Sequence, residues 1–253
     1  MKYLVLKIIP LFFISFVHAQ QFVEKAEIEF EVNTNLKKRM GNDSWDEKMK
    51  ENISDLKTSY YKYTFSNNKS IYKFDRWSEK TRIPKYEKDS DEENIWYFDF
   101  TSNQMSIQKL IGGTNFVILD SIAPIEWKIT NENREIAGYN CRKAVGKIFD
   151  DVYVFAFYTD DIIISGGPCS INGLPGMILG VTIPRLYTSY IATKVNLTVS
   201  NLNEIKPISS KKPFKYSEMK AFLIDKSNDW FSYGNDEEEK KRQKNMFLWE
   251  SLL

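Results

Sequence analysis

Histidine is all but missing from this chain of 253 residues; the single one, His18, lies within the first twenty. Without an imidazole in the remainder, a Ser-His-Asp triad, a Cys-His pair and a histidine-bearing zinc or copper site are excluded there. Cysteine is nearly as scarce, with Cys141 and Cys169 alone. No apolar run after residue 19 approaches the roughly 20 residues that cross a bilayer as a helix. Nor does either sign of charge prevail: 35 basic residues face 34 acidic ones, which speaks against a nucleic-acid partner, since that calls for a basic face. Phosphate-binding glycine loops, nucleophile elbows, zinc ribbons and dinucleotide fingerprints are absent. So are internal repeats and low-complexity linkers.

What is present begins with an address. Met1-Lys2, an apolar segment from Tyr3 to Val17, and small residues at Val17 and Ala19 predict a secretory signal peptide over residues 1–19, cut before Gln20. Lys7 and Pro10 interrupt the segment and argue against a membrane anchor. The cleavage point has no cysteine, so a lipoprotein is not expected. The mature chain, residues 20–253, then holds 33 basic and 34 acidic residues and no histidine. It is expected in the periplasm or at the periplasmic face of the outer membrane, as one β-rich domain without a transmembrane segment.

Strand patterns fill most of that domain. Ala26, Ile28, Phe30 and Val32 alternate with Lys25, Glu27, Glu29 and Glu31, the period of a half-buried strand. Residues 57–65 and 70–77 predict a hairpin about a polar turn, and three short strands follow at 94–100, 105–110 and 115–120. The longest candidates are 141–149, 152–160, 177–183 and 186–199, the first two joined by Asp150-Asp151. Ser44-Trp45-Asp46-Glu47 has capping-box spacing and predicts a short helix to about Ile53. The acidic run 87–93, EKDSDEE, reads as a solvated loop; it lacks the glycine and terminal glutamate of an EF-hand. Helices are expected at 217–224 and 236–252, the latter opening on four acids where its dipole favours them. The expected fold is mainly β: a large curved antiparallel sheet, an incomplete barrel, closed by one or two helices including a C-terminal one.

The densest stretch is Ser165 to Val181, SGGPCSINGLPGMILGV. Leu174-Pro175-Gly176-Met177 predicts a type II turn, with Pro175 setting one φ and Gly176 taking the positive φ the next position needs. Gly173 to Leu179 resembles the signature of the GLPGLI family, cell-envelope proteins of Gram-negative bacteria, with Met177 where that signature has leucine. Flanking residues agree, among them Gly138 to Ala144, Phe157 to Asp160, and Gly167-Pro168. The resemblance implies an envelope address and no established activity; it also suggests association with an outer-membrane transporter. Gly167, Pro168, Gly173, Leu174, Pro175 and Gly176 are therefore both a rigid strand connection and a candidate docking loop.

Few other residues offer chemistry. Cys141 and Cys169 are expected to form a disulfide, with two free thiols or soft metal ligands beside Met177 as alternatives. Asp160 is a candidate loop anchor or half of a carboxylate pair for hydrolysis, and Arg185 a candidate partner for it or for an anionic ligand. Tyr60, Tyr61, Tyr63, Tyr72, Trp77, Trp96, Tyr97 and Trp127 either fill the core or line a pocket. No cofactor is expected. The expectation for function is a non-catalytic envelope protein that binds an apolar ligand, a peptide or a protein partner.

Overall fold

The computed structural model describes residues 23–41, 44–199, 204–231 and 236–253; the expected signal peptide lies outside them. The alternating segment Lys25–Asn35 forms β1, with every second residue buried from Ala26 to Thr34. It is followed by one turn of helix, α1 (Leu36–Arg39), and by α2 (Ser44–Asn52), where the short helix is expected. β2 (Leu56–Ser66) and β3 (Lys69–Trp77) make the expected hairpin. Its turn residues Asn67 and Asn68 have φ of 53° and 59°, a conformation asparagine tolerates.

The acidic run is not a loop. All of it but Glu93, the C-cap, lies in α3 (Lys85–Glu92), which leads into β4 (Ile95–Asp99), and β5 (Gln104–Ile111) and β6 (Thr114–Ser121) complete a meander. After a six-residue strap come β7 (Lys128–Ile136), β8 (Tyr139–Ile148), β9 (Val152–Thr159), β10 (Met177–Ile183) and β11 (Thr188–Asn196). Helices α4 (Tyr216–Trp230) and α5 (Glu237–Leu252) end the chain.

All eleven strands join one sheet in the order β6-β5-β4-β3-β2-β1-β11-β10-β9-β8-β7, and each neighbouring pair is antiparallel. The edges β6 and β7 are consecutive in sequence, and that fact bends the sheet. Laid flat, eleven strands would hold their edges about 48 Å apart. Residues 122–127 can bridge only about 25 Å, so the sheet must curl into an incomplete barrel.

The inner face carries the core: Ala26, Ile28 and Phe30 from β1, Tyr63 from β2, Tyr72 from β3 and Ile107 from β5; in β10, Met177 to Leu179 are buried on both faces. Of residues 160–176, between β9 and β10, the run 166–172 is drawn into the interior. It packs with Tyr63, with the Trp127 strap and with the end of α5. The β6 edge is covered by Phe214, whose N–H donates to Val117 O at 2.8 Å and whose carbonyl accepts from Leu119 N at 2.9 Å. The β7 edge is polar and largely exposed, as an unpaired strand must be to stay soluble. No helix among the described residues is long and apolar enough to cross a membrane.

Candidate functional site

β4 has only five residues. Beyond its start, β3 and β5 continue with no strand between them, and α3 occupies the gap. Three bonds hold it there: Trp77 Nε1 donates to Glu92 Oε1 at 2.6 Å, Ser90 Oγ to Leu110 O at 3.1 Å, and Tyr61 Oη to Asp91 O at 3.3 Å. Opposite, the last turn of α5 is pinned over the inner face of the sheet. The backbone oxygen of Leu253 accepts from Trp96 Nε1 at 2.8 Å and from Ser170 Oγ. Between α3, α5 and the ends of β1, β2, β5 and β11 lies a cleft of about 520 Å³.

The strand period places two lysines inside it. On β2 the inward phase runs Lys57, Ser59, Tyr61, Tyr63, Phe65; on β5 it runs Met105, Ile107, Lys109, Ile111. Lys57 is 8% exposed and Lys109 5%. A buried ammonium is costly unless paired, and the two are treated differently. Lys57 Nζ lies 2.8 Å from Asp91 Oδ2, so α3 supplies its counter-charge. Lys109 Nζ donates to Glu250 O at 3.2 Å and stands 4.4 Å from the centre of the Trp96 ring. That carbonyl belongs to the last turn of α5, where helix oxygens lack internal donors and the dipole favours a cation. No carboxylate lies within ion-pairing distance of Lys109 among the described residues. Desolvation pushes its ammonium down to about 8, against the pull of Asp91 and Glu250 and with a push from Lys57.

Of the remaining charges all but Glu87 are matched among the described residues. Arg39 bonds the Glu250 carboxylate at the cleft wall, and Arg242 Nη1 donates to Arg39 O at 3.0 Å. Desolvation holds the Glu250 carboxyl above its ordinary value, with Arg39 and Lys57 opposing. Asp89 is bound by Lys85 at 2.8 Å, while Glu87 sits half-buried in the wall of the cleft. Beside this cleft is a second compartment of about 310 Å³, lined chiefly by Leu36, Met40, Ile53, Ile83, Met246 and Phe231. Arg39, Tyr86, Glu87, Phe247 and Glu250 line both.

The glycine-proline corner serves this site from behind. Of residues 165–181 it is Cys169 that lines the cleft, among the described residues. The expected type II turn is corrected: Gly173, not Gly176, takes the positive φ, at 88°. Gly176 is required for closeness, since a Cβ there would lie 2.0 Å from the carbonyl oxygen of Thr159. Gly167 is confined in the same way, 2.5 Å from Ile171 O, and Pro168 O accepts from Ile171 N at 3.1 Å. Leu174 is fully buried, whereas Gly173 and Pro175 face solvent. Trp127 Nε1 donates to Asn172 O at 2.9 Å and ties the strap to the corner.

The expected disulfide is also corrected: both thiols are free and buried. Cys141, on β8, turns to Tyr139 O and lies near Ile136 and Asp161, while Cys169 faces Lys109, Tyr190 and Asp91. The two sets of neighbours share no residue, so the sulfurs are not brought together. Burial raises both thiols to about 12, which makes them poor nucleophiles. Cys141, Cys169 and Met177 do not form a metal centre, and no three His, Cys, Asp or Glu among the described residues stand close enough to hold an ion. Asp160 is exposed and anchors nothing by its side chain; the neighbouring Asp161 accepts from Thr159 Oγ1 at 3.3 Å. Arg185 pairs with Asp151 at 2.8 Å, not with Asp160, and lies over the Trp249 ring. Of the aromatic residues singled out, Tyr61 and Trp96 line the cleft.

No family model matches the chain, and no curated protein does. It is similar to the solved structure of PNGF-II in the P21 space group, at 17% identity and a TM-score of 0.48, over 74% of this chain and 32% of that one. The C2 form of PNGF-II is similar at 17% identity and a TM-score of 0.46, over 90% of this chain and 33% of that one. An uncharacterized conserved protein from Thermus thermophilus is similar at 8% identity and a TM-score of 0.38, over 76% of this chain and 89% of that one. The chain thus spans about a third of the length of the PNGF-II chains.

Proposed function

We propose that this chain is an exported, non-catalytic binding protein of the cell envelope that takes a ligand into the cleft between its curled sheet and α5. The observation that carries the reading is Lys109: a buried ammonium lining a cleft of about 520 Å³, without a carboxylate of its own. Cavities of this size with aromatic walls and a few placed polar groups are typical ligand sites. The signal-like N-terminus and the GLPGLI resemblance support the envelope address, and the latter favours a transporter of the outer membrane as partner. The lack of histidine beyond residue 18 and the protonated Cys169 thiol support binding over catalysis. Hydrolysis by a carboxylate pair has less behind it, because Asp160 stands exposed, outside the cleft.

Native mass spectrometry of the protein taken gently from its own cells tests the reading. A bound small molecule, released on denaturation, is expected; a bare chain whose melting temperature responds to no envelope extract contradicts it. Crosslinking in intact envelopes tests the partner, and recovery of the chain alone would remove the transporter from the proposal.

A further inference from the structure

We infer that the ligand is a single-chain amphiphile bearing one negative charge, a long-chain carboxylate, whose head meets Lys109 and whose tail enters the adjoining apolar compartment. This rests on the reading of the cleft as a ligand site and adds the chemistry of what fills it.

The head follows from the charge pattern. Lys57 has Asp91, Arg39 has Glu250 and Asp89 has Lys85, which leaves Lys109 as the cation of the cleft interior not matched by an anion. An ammonium has three donors; of these, one is used on Glu250 O. Glu87, half-buried, lines the cleft and the adjoining compartment alike and stands outside ion-pairing distance of Lys109. One unmatched positive charge fits a monoanion. A phosphate monoester would bring a second negative charge close to Asp91 and Glu250, whose like charges oppose it.

The tail follows from the second compartment. Half of its walls are aliphatic and thioether side chains from α1, α2, α3 and α5 or the residues beside them, and Tyr86, Phe231 and Phe247 add aromatic surface. Methionine there adapts to tails of varying shape. A peptide would bring a donor and an acceptor per residue into a space whose polar side chains are Arg39 and Glu250, already paired, with Tyr86, Glu87 and Gln243, and most of them would be left unsatisfied. An alkyl chain brings none. Because Tyr86 and Phe247 line both spaces, one molecule can occupy the two together.

Oleate and oleyl alcohol, which share a tail and differ in charge, are titrated below their aggregation limits into the full chain, with tryptophan fluorescence and native mass as readouts. One oleate per chain is expected, bound about tenfold or more tightly than the alcohol. Lys109→Met should abolish that preference and Lys109→Arg should keep it. Met246→Glu, in the tail compartment, should weaken both. Equal affinity of the unaltered chain for oleate and the alcohol overturns the charge assignment, and dodecyl phosphate displacing oleate overturns the carboxylate. If neither lipid binds while the protein from cells still carries a bound molecule, this inference fails and the binding reading stands; a bare protein that binds neither removes both.

Discussion

Lys109 is a residue whose position works against the stability of the fold. Its inward phase on β5 puts an ammonium among Trp96, Cys169 and Tyr190, and a methionine there would need no counter-charge. Gly176 is the opposite case, a residue whose smallness the fold requires. Adding one methyl at Gly176 forces the corner off Thr159 O, 2.0 Å from the new carbon. Gly176→Ala is expected to destabilise by about 3 kcal/mol, lowering the melting temperature by roughly 6–12 °C in a domain of this size. Calorimetry checks it; a change within about 1 °C would mean that the corner yields freely and is not the rigid back wall of the cleft. Pro175 and Gly173, both solvent-facing, give the residue scale its contrast.

Helix α3 shows how an element can be misread from its composition. Seven residues with five acids read as a solvated loop, because like charges repel; yet Asp91 turns inward to Lys57, Asp89 pairs with Lys85, and Glu92 accepts from Trp77. Breaking the inner pair should leave Lys57 buried and uncompensated. Asp91→Asn is therefore expected to destabilise by about 3 kcal/mol in urea unfolding, and adding Lys57→Met should recover most of the loss. A double variant no more stable than Asp91→Asn alone would contradict this coupling. The lysines themselves are legible in principle. Lys57 and Lys109 interrupt the apolar phase of β2 and β5, and a charge in the core phase of a strand is the signal that marks them. Strand β7 is hidden for a different reason: it is an exposed edge with a bulge between Ile129 and Asn133, so neither alternation nor apolar runs mark it. The strands with strong period two or a continuous apolar run, β1, β2 and β10, stand out for the converse reason.

At the scale of the whole molecule, the curled sheet and terminal helix can be read from the succession of strands, but the cleft cannot. It depends on a five-residue β4 that leaves a gap, on a strap of six residues that bends the sheet, and on residues 166–172 being drawn into the interior. Each is a tertiary relation with no local pattern. The disulfide expectation fails for the same reason, since spacing along the chain does not tell which way two sulfurs face. The parts combine into one device: the corner holds Cys169 and Ser170, Ser170 and Trp96 hold the end of α5, and α5 offers Lys109 a carbonyl without a countercharge. On the proposed reading, that folded state keeps a cation ready at a cost in stability.

The pH dependence of that cost is the most direct measurement. With Lys109 pushed down to about 8 in the folded chain and near 10.5 when unfolded, the native state binds fewer protons between those values, so the unsubstituted chain gains stability there. Below pH 8 both states carry the proton, and the full penalty, about 3 kcal/mol, remains. Asp91, Glu250, Lys57 and Cys169 face the same amine and are common to both proteins, so the measurement is the difference in unfolding free energy between Lys109→Met and the unsubstituted chain from pH 7 to 10.5. The variant is expected to be the more stable at pH 7, with an advantage that shrinks steadily above pH 8. A variant less stable at pH 7, with a deficit that stays level up to pH 10.5, would show a cation already satisfied by the fold and would contradict a site held ready for an anion.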